Sequence, residues 1–309
     1  MSSEMIMARR SQLAFYRDVS LYMKVKEEDY VLYKPSGMTL NDMRIGEEKH
    51  PKVLYIKGND KIRGIQEAQK AFNKELKKDI RSGNYVKVKE TIITIVEETL
   101  TEPRSGSLEG VSEMVDILIS DYGREFDVIK NLLNVSSKDY TTALHSINVM
   151  ALSIGFALYS RYALSETKTL GLCGLLHDVG KSKIDSNILV TPRRLTKEEF
   201  EEMQRHTTLG HNILQKCKFS DKRIRLAALE HHEKLDGGGY PDGKYNISET
   251  AQILGIVDCY EALTNDDRPY RHAAPPLCAL QLIKKDVRAG KFNGEIFMDF
   301  IHYLGKKDI

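Results

Sequence analysis

The run Leu170-Gly171-Leu172-Cys173-Gly174-Leu175-Leu176 carries no charge and leads directly into His177 and Asp178. An uncharged run of this kind reads as the end of a buried helix. A buried carboxylate without a partner costs several kcal/mol, roughly, so one is expected nearby. The candidates are Lys181, another side chain or a metal ion. The choice depends on how many further ligand-type side chains the fold brings to the same place.

The chain has 309 residues, room for about two domains and a sizeable core. With 41% hydrophobic and 29% charged residues it reads as soluble and globular. A formal net charge of +2 argues against a strongly basic nucleic-acid binder, so neither DNA nor RNA is expected as a partner. Cys173, Cys217, Cys259 and Cys278 form no Cys-x-x-Cys pair and read as reduced thiols. Met1 to Arg10 lacks the apolar core of a signal peptide, and no 18-residue apolar run is apparent. A cytoplasmic protein with no membrane span is the expectation. Seven of the nine histidines fall between His145 and His272, which puts any chemistry in the C-terminal half.

Short runs with β-branched and aromatic residues, Ser20 to Val25, Tyr30 to Lys34 and Lys52 to Ile56, are separated by turn residues and predict a small sheet. Helical spacing then predicts helices over Ile65 to Lys78 and Tyr85 to Leu100. The stretch Thr101 to Ser107 reads as a linker. Beyond it the pattern is helical: Val111 to Leu133, Asp139 to Tyr162 and Ser165 to Leu176. A capping box at Thr196-Lys197-Glu198-Glu199 opens one helix to about Cys217. Further helices are expected over Ser220 to Glu233 and Ser248 to Leu263; Pro275-Pro276 opens another to Arg288, and Asn293 caps a final one. The fold expected is mainly α: residues 1–105 form a small sheet-containing α/β domain, and residues 106–309 form a helical bundle.

Several polar residues interrupt faces that should be buried. His145 lies among Ala143, Leu144, Ile147 and Val149, and Asp258 among Ile253, Leu254, Ile256 and Val257. His206 and His211 are about 140° apart on a helix, so they cannot share a face. His211 reads as structural or solvated. His231 and His232 diverge by about 100°, so one can point squarely at a metal while the other ligates at an angle or supports it. Each residue alone suits a hydrogen-bonded core position. Together they put imidazoles and carboxylates on the inner faces of separate helices, as helical bundles do when they build metal sites. Five imidazoles and two carboxylates exceed one tetrahedral ion and suit two ions bridged by a carboxylate, with Asp178 the natural bridge. Iron or manganese fits this nitrogen and oxygen set, and zinc is compatible with it.

His145, His177-Asp178-x-Gly180-Lys181, His206, His231-His232-Glu233-x-x-Asp236-Gly237-x-Gly239-Tyr240-Pro241 and Asp258 resemble the signature of the HD-GYP phosphodiesterases, within the HD superfamily of metal-dependent phosphohydrolases. The resemblance covers about Asp139 to Arg288. It implies an HD-type bundle around a metal centre that hydrolyses cyclic di-GMP to pGpG or GMP. Carried over by position, one ion takes His145, His177, Asp178 and Asp258. The other shares Asp178 and adds His206 with His231, His232 or both. A hydroxide between the ions then attacks phosphorus in line.

Lys181 is placed either to contact a phosphate oxygen or leaving group, or to pair with a nearby carboxylate. Three successive glycines in the loop from Asp236 to Gly243 allow close approach of a substrate. Within it Gly239, Tyr240 and Pro241 are expected at the substrate, or the loop simply caps the metal site. Arg268 and Arg271 resemble a family segment that holds the substrate, and arginine forks suit phosphates and guanine edges.

The chain departs from the pattern in three places. Thr141 stands where some members carry a glutamate for a third metal, so two metals are expected. Glu261 replaces a usual aspartate, and Thr264 to Arg268 is one residue longer than usual. The alternative to catalysis is therefore an impaired member acting as a cyclic-dinucleotide-binding or protein-interaction signalling module. The first 105 residues are expected to regulate or to dock a signalling partner.

Overall fold

The computed structural model describes residues 4–27, 29–40, 51, 53–101, 103, 107–122, 141–191, 193–217, 221–265 and 273–305. Four short strands, β1 (Met5–Met7), β2 (Leu21–Lys26), β3 (Asp29–Lys34) and β4 (Tyr55–Lys57), form an antiparallel sheet in the order β1-β4-β2-β3. Strand β1, which the sequence reading did not anticipate, pairs Met5 with Lys57 and Met7 with Tyr55. Leu21, Leu54 and Ile56 are buried with Tyr16 and Val19 in a small core of their own.

Helices α1 (Lys61–Arg81), α2 (Tyr85–Thr101) and α3 (Ser107–Tyr122) follow. Their apolar positions, including Phe72, Leu76, Ile92, Ile95, Met114 and Leu118, join one continuous core with the rest of the bundle. The remaining helices are α4 (Thr142–Tyr159), α5 (Leu164–Leu176), the single turn α6 (Ser186–Leu189), α7 (Lys197–Gln204), α8 (His206–Lys216), α9 (Lys222–Glu230), α10 (Glu249–Thr264), α11 (Pro276–Arg288) and α12 (Gly294–Gly305). The expected extensions to Leu133 and back to Asp139 fall outside the described residues.

Both helix caps expected from the sequence form. Thr196 Oγ1 accepts from Glu199 N at 3.2 Å, and Glu199 returns a bond to Thr196 N, closing the capping box. Asn293 Oδ1 accepts from the N–H groups of Glu295 and Ile296. Helix α4 has the length and hydropathy of a membrane span, but 78% of that window is buried inside the bundle, so packing accounts for its apolar character.

Two of the helix limits that differ from expectation bear on the site. The single helix expected from Thr196 to Cys217 is broken at Arg205, separating α7 from α8. The imidazole of His206 takes the Met203 carbonyl at 2.7 Å, and Arg205 N reaches back to Glu202 O, tightening the turn. Helix α9 ends at Glu230 rather than Glu233, which leaves His231 as its C-cap and frees His232 and Glu233 to turn into the glycine loop.

Candidate metal centre

The expected ligands come from several elements. His145 lies in α4, His177 caps α5, Asp178 opens a 3-10 turn (Val179–Lys183), His206 begins α8, His231 is the C-cap of α9 with His232 just beyond it, and Asp258 sits within α10. His145, His177, Asp178, His206 and His231 are each no more than 3% exposed. Gly180 lets the 3-10 turn press against α8: a Cβ there would lie 1.9 Å from His206 O. That contact brings Asp178 next to His206.

Two groups of potential ligand atoms result, one of His145, His177 and Asp178 and one of His206, His231 and His232, with the atoms of each group within 4.8 Å of one another. Asp178 faces both. Its Oδ2 is 3.6 Å from His145 Nε2 and 3.3 Å from His177 Nε2. Its Oδ1 is 3.4 Å from His206 Nε2 and 4.0 Å from His231 Nε2. Asp258 Oδ1 joins the first group, 3.0 Å from His145 Nε2 and 3.9 Å from His177 Nε2.

The hydrogen bonds behind the rings set their tautomers. His177 Nδ1 donates to Gly174 O at 2.7 Å, His206 Nδ1 to Met203 O at 2.7 Å, and His231 Nδ1 to Ala228 O at 3.1 Å. A carbonyl only accepts, so Nδ1 carries the proton and Nε2 keeps a lone pair in each neutral ring. The lone pairs of His206 and His231 face each other at 3.3 Å. Asp178 Oδ1 is buried with no hydrogen-bond donor among the described residues. Converging lone pairs and an orphaned carboxylate oxygen are unfavourable together unless a cation lies among them, so the donor set fits bound metal.

The titration behaviour follows from the same arrangement. Burial, reinforced by neighbouring rings, holds His231 well below the ordinary imidazole value, and burial alone is the main reason that His232 falls to about 3. His145 differs. Burial opposes its charged form, but the carboxylates of Glu261 and Asp258 outweigh it and raise it to about 9. Burial also works against ionised Asp178, yet His177, Lys181 and His206 keep it well below the usual carboxylate range.

Lys181 Nζ lies 2.5 Å from Asp178 Oδ2, so in this structure it pairs with the carboxylate. Tyr240 packs its ring on His232, centroids 4.7 Å apart, with Phe200 beyond it. Of the three successive glycines, Gly237 alone has a positive φ, +75°. Gly239 is required for space, since a Cβ would lie 2.4 Å from Glu233 Cα and Lys234 N. Pro241, next to Tyr240, is exposed. Arg268 and Arg271 lie outside the described residues. His211 is partly exposed and belongs to neither ligand group.

Three residues acquire roles that the motif reading did not assign. Glu261 Oε2 takes His145 Nδ1, and its Oε1 accepts from Asn148 and Asn265. Buried Glu233 accepts from Asp242 N at 2.8 Å and Lys244 N at 3.0 Å, which ties down the glycine loop. Thr141 accepts from Leu144 N as the N-cap of α4, so its hydroxyl has a structural partner.

A family profile described as an HD domain matches residues 127–296, more than half of the chain, and the chain belongs to that family. Its motifs and relatives place it with the HD-GYP members. The relatives include a cyclic di-GMP phosphodiesterase of Pseudomonas aeruginosa, 32% identical over 63% of this chain and 47% of its own length. A 3'3'-cGAMP-specific phosphodiesterase of Vibrio cholerae is 33% identical over 53% of this chain and 38% of its own length. The chain thus spans less than half of these relatives. Among solved structures, an HDG"Y"P protein from Bdellovibrio bacteriovorus shares the fold along nearly the whole chain, with a TM-score of 0.65, 18% identity and coverage of 97% of this chain and 99% of that one.

Proposed function

We propose that this protein is a metal-dependent phosphodiesterase that hydrolyses cyclic di-GMP to pGpG or GMP. The observation carrying this reading is the division of the Asp178 carboxylate between two groups of imidazoles. The names of the relatives, cyclic di-GMP and 3'3'-cGAMP phosphodiesterases, support the substrate class.

His145, His177, Asp178 and Asp258 would hold one divalent ion, and Asp178, His206, His231 and His232 the other; iron or manganese suits these ligands. Bound in pairs, such ions supply Lewis-acid charge that activates water and stabilises the charge developing on phosphate. Lys181 is the cation free to exchange Asp178 for a phosphate oxygen, because a quarter of its side chain remains exposed. Tyr240, stacked on His232, offers a flat face for a base. Gly239 and Pro241 shape that loop, and Arg268 and Arg271 would hold the distal phosphate.

Residues 1–105 would act as a regulatory domain that docks a signalling partner, and residues 106–309 as the catalytic domain, in the cytoplasm.

The test is anaerobic incubation of chelator-free protein, loaded with Mn²⁺ or Fe²⁺, with cyclic di-GMP. Linear pGpG or GMP is the expected product, and no product under those conditions overturns the proposal. Because one relative is named for 3'3'-cGAMP, the same assay run with that dinucleotide separates the two substrates.

A further inference from the structure

A cleft of about 480 Å³ opens beside Asp178 and Lys181, and the last turn of α2 helps to line it through Glu97 and Leu100. Ile184 and Leu189 line it as well. The volume lies within the usual range for small-molecule sites, and the three aliphatic side chains offer apolar surface to a flat ring. Glu97 is not one of the grouped metal-type ligands. No ion pair joins its carboxylate to a cation among the described residues, and partial burial, with the neighbouring Glu98 carboxylate, raises its pKa.

A carboxylate without a counter-cation repels phosphate, so its complement in a ligand is a pair of donors. Among the neutral nucleobases guanine has two adjacent donors, N1–H and the N2 amino group, spaced for the two oxygens of one carboxylate. Adenine offers a donor beside an acceptor, which a carboxylate cannot satisfy.

The turn that presents Glu97 is anchored. Glu98 accepts from Arg9 Nη1 at 2.5 Å, from Gln12 Nε2 at 2.7 Å and from Ser11 Oγ, and Thr101 Oγ1 donates to Glu97 O at 2.6 Å. The neighbouring residue is thereby held in place before any ligand arrives.

We propose that Glu97 is the guanine-reading residue of the substrate cleft, accepting N1–H and the N2 amino group through its two carboxylate oxygens. The assignment rests on the reading of the chain as a cyclic-dinucleotide phosphodiesterase. It makes a helix of the N-terminal half part of the substrate site.

The test uses the full-length, metal-loaded protein and phosphorothioate analogues of cyclic di-GMP and cyclic di-AMP, which resist turnover. Affinities for both are measured in wild type, Glu97→Gln and Glu97→Asp. The wild type should prefer the guanine analogue. Glu97→Gln should cut that preference about tenfold or more, and Glu97→Asp should keep most of it. A ratio is insensitive to general weakening of the site. An unchanged ratio in Glu97→Gln, no guanine preference in wild type, or no binding of either analogue overturns the assignment. Hydrolysis of unmodified cyclic di-GMP is scored separately. Cleavage with an unchanged ratio overturns guanine reading alone; a Glu97-dependent preference without cleavage overturns the catalytic reading alone.

Discussion

His145 Nδ1 lies 2.5 Å from Glu261 Oε2, so the carboxylate fixes the ring and turns Nε2 toward Asp178 and Asp258. Groups that orient a metal-binding imidazole in this way typically contribute about 10–100-fold to metal affinity. Glu261→Ala should therefore weaken metal binding by about that factor. Glu261→Asp, with a shorter carboxylate, should lose less. Competition with a chelator of known affinity measures both, and unchanged binding in Glu261→Ala would show that the contact does not orient a ligand.

Asp178→Ala removes the carboxylate whose two oxygens lie toward His177 on one side and His206 on the other. Metal analysis of that variant, purified without chelator, should find close to no bound ion. If two equivalents per chain remain, Asp178 is not the bridge.

Glu233 is 4% exposed and holds two backbone N–H groups of the glycine loop. Glu233→Gln leaves an amide N–H₂ facing one of those donors. The cost of an unmatched buried donor, about 1–3 kcal/mol, should lower the melting temperature. Hydrogen exchange at the amides of Asp242 and Lys244 should accelerate in the variant. Native-like protection at both would show that the loop is held by other contacts.

Asp221 caps α9 through Arg223 N and also accepts from Thr169 of α5, joining the helices that end in His231 and His177. Asp221→Ala should destabilise the fold by about 1 kcal/mol at neutral pH. The Arg223 guanidinium holds the carboxyl of Asp221 below its ordinary value of 3.8. A depressed carboxyl stabilises the folded state above the unfolded value and loses that contribution as pH falls through the folded one. The gap between wild type and variant in denaturant titrations should thus be full above about pH 4 and close on further acidification.

The sequence carries some of the ligands in readable form because a titratable side chain interrupts an apolar helical stretch. His145 and Asp258 stand out for that reason alone, and the structure brings them within 3.0 Å. The break at Arg205 is not readable, since the capping box and helical spacing run on through it. It follows from a side chain taking a backbone carbonyl, which periodicity does not record. Strand β1 is three residues long and is defined by pairing with a segment about fifty positions away. Glu233 and Glu97 needed three dimensions for the same reason: one serves a loop that folds back on it, and the other lines the same cleft as Asp178.

The carbonyls that fix His177, His206 and His231 each belong to the residue three positions earlier in the same chain segment. The protonation pattern of three ligands is thus a property of single helical turns, set before the helices meet. Assembly of the bundle then has only to bring ready-made donors within range of one another. Changes to distant core packing should alter how far apart these donors stand, and leave untouched which nitrogen of each ring is offered.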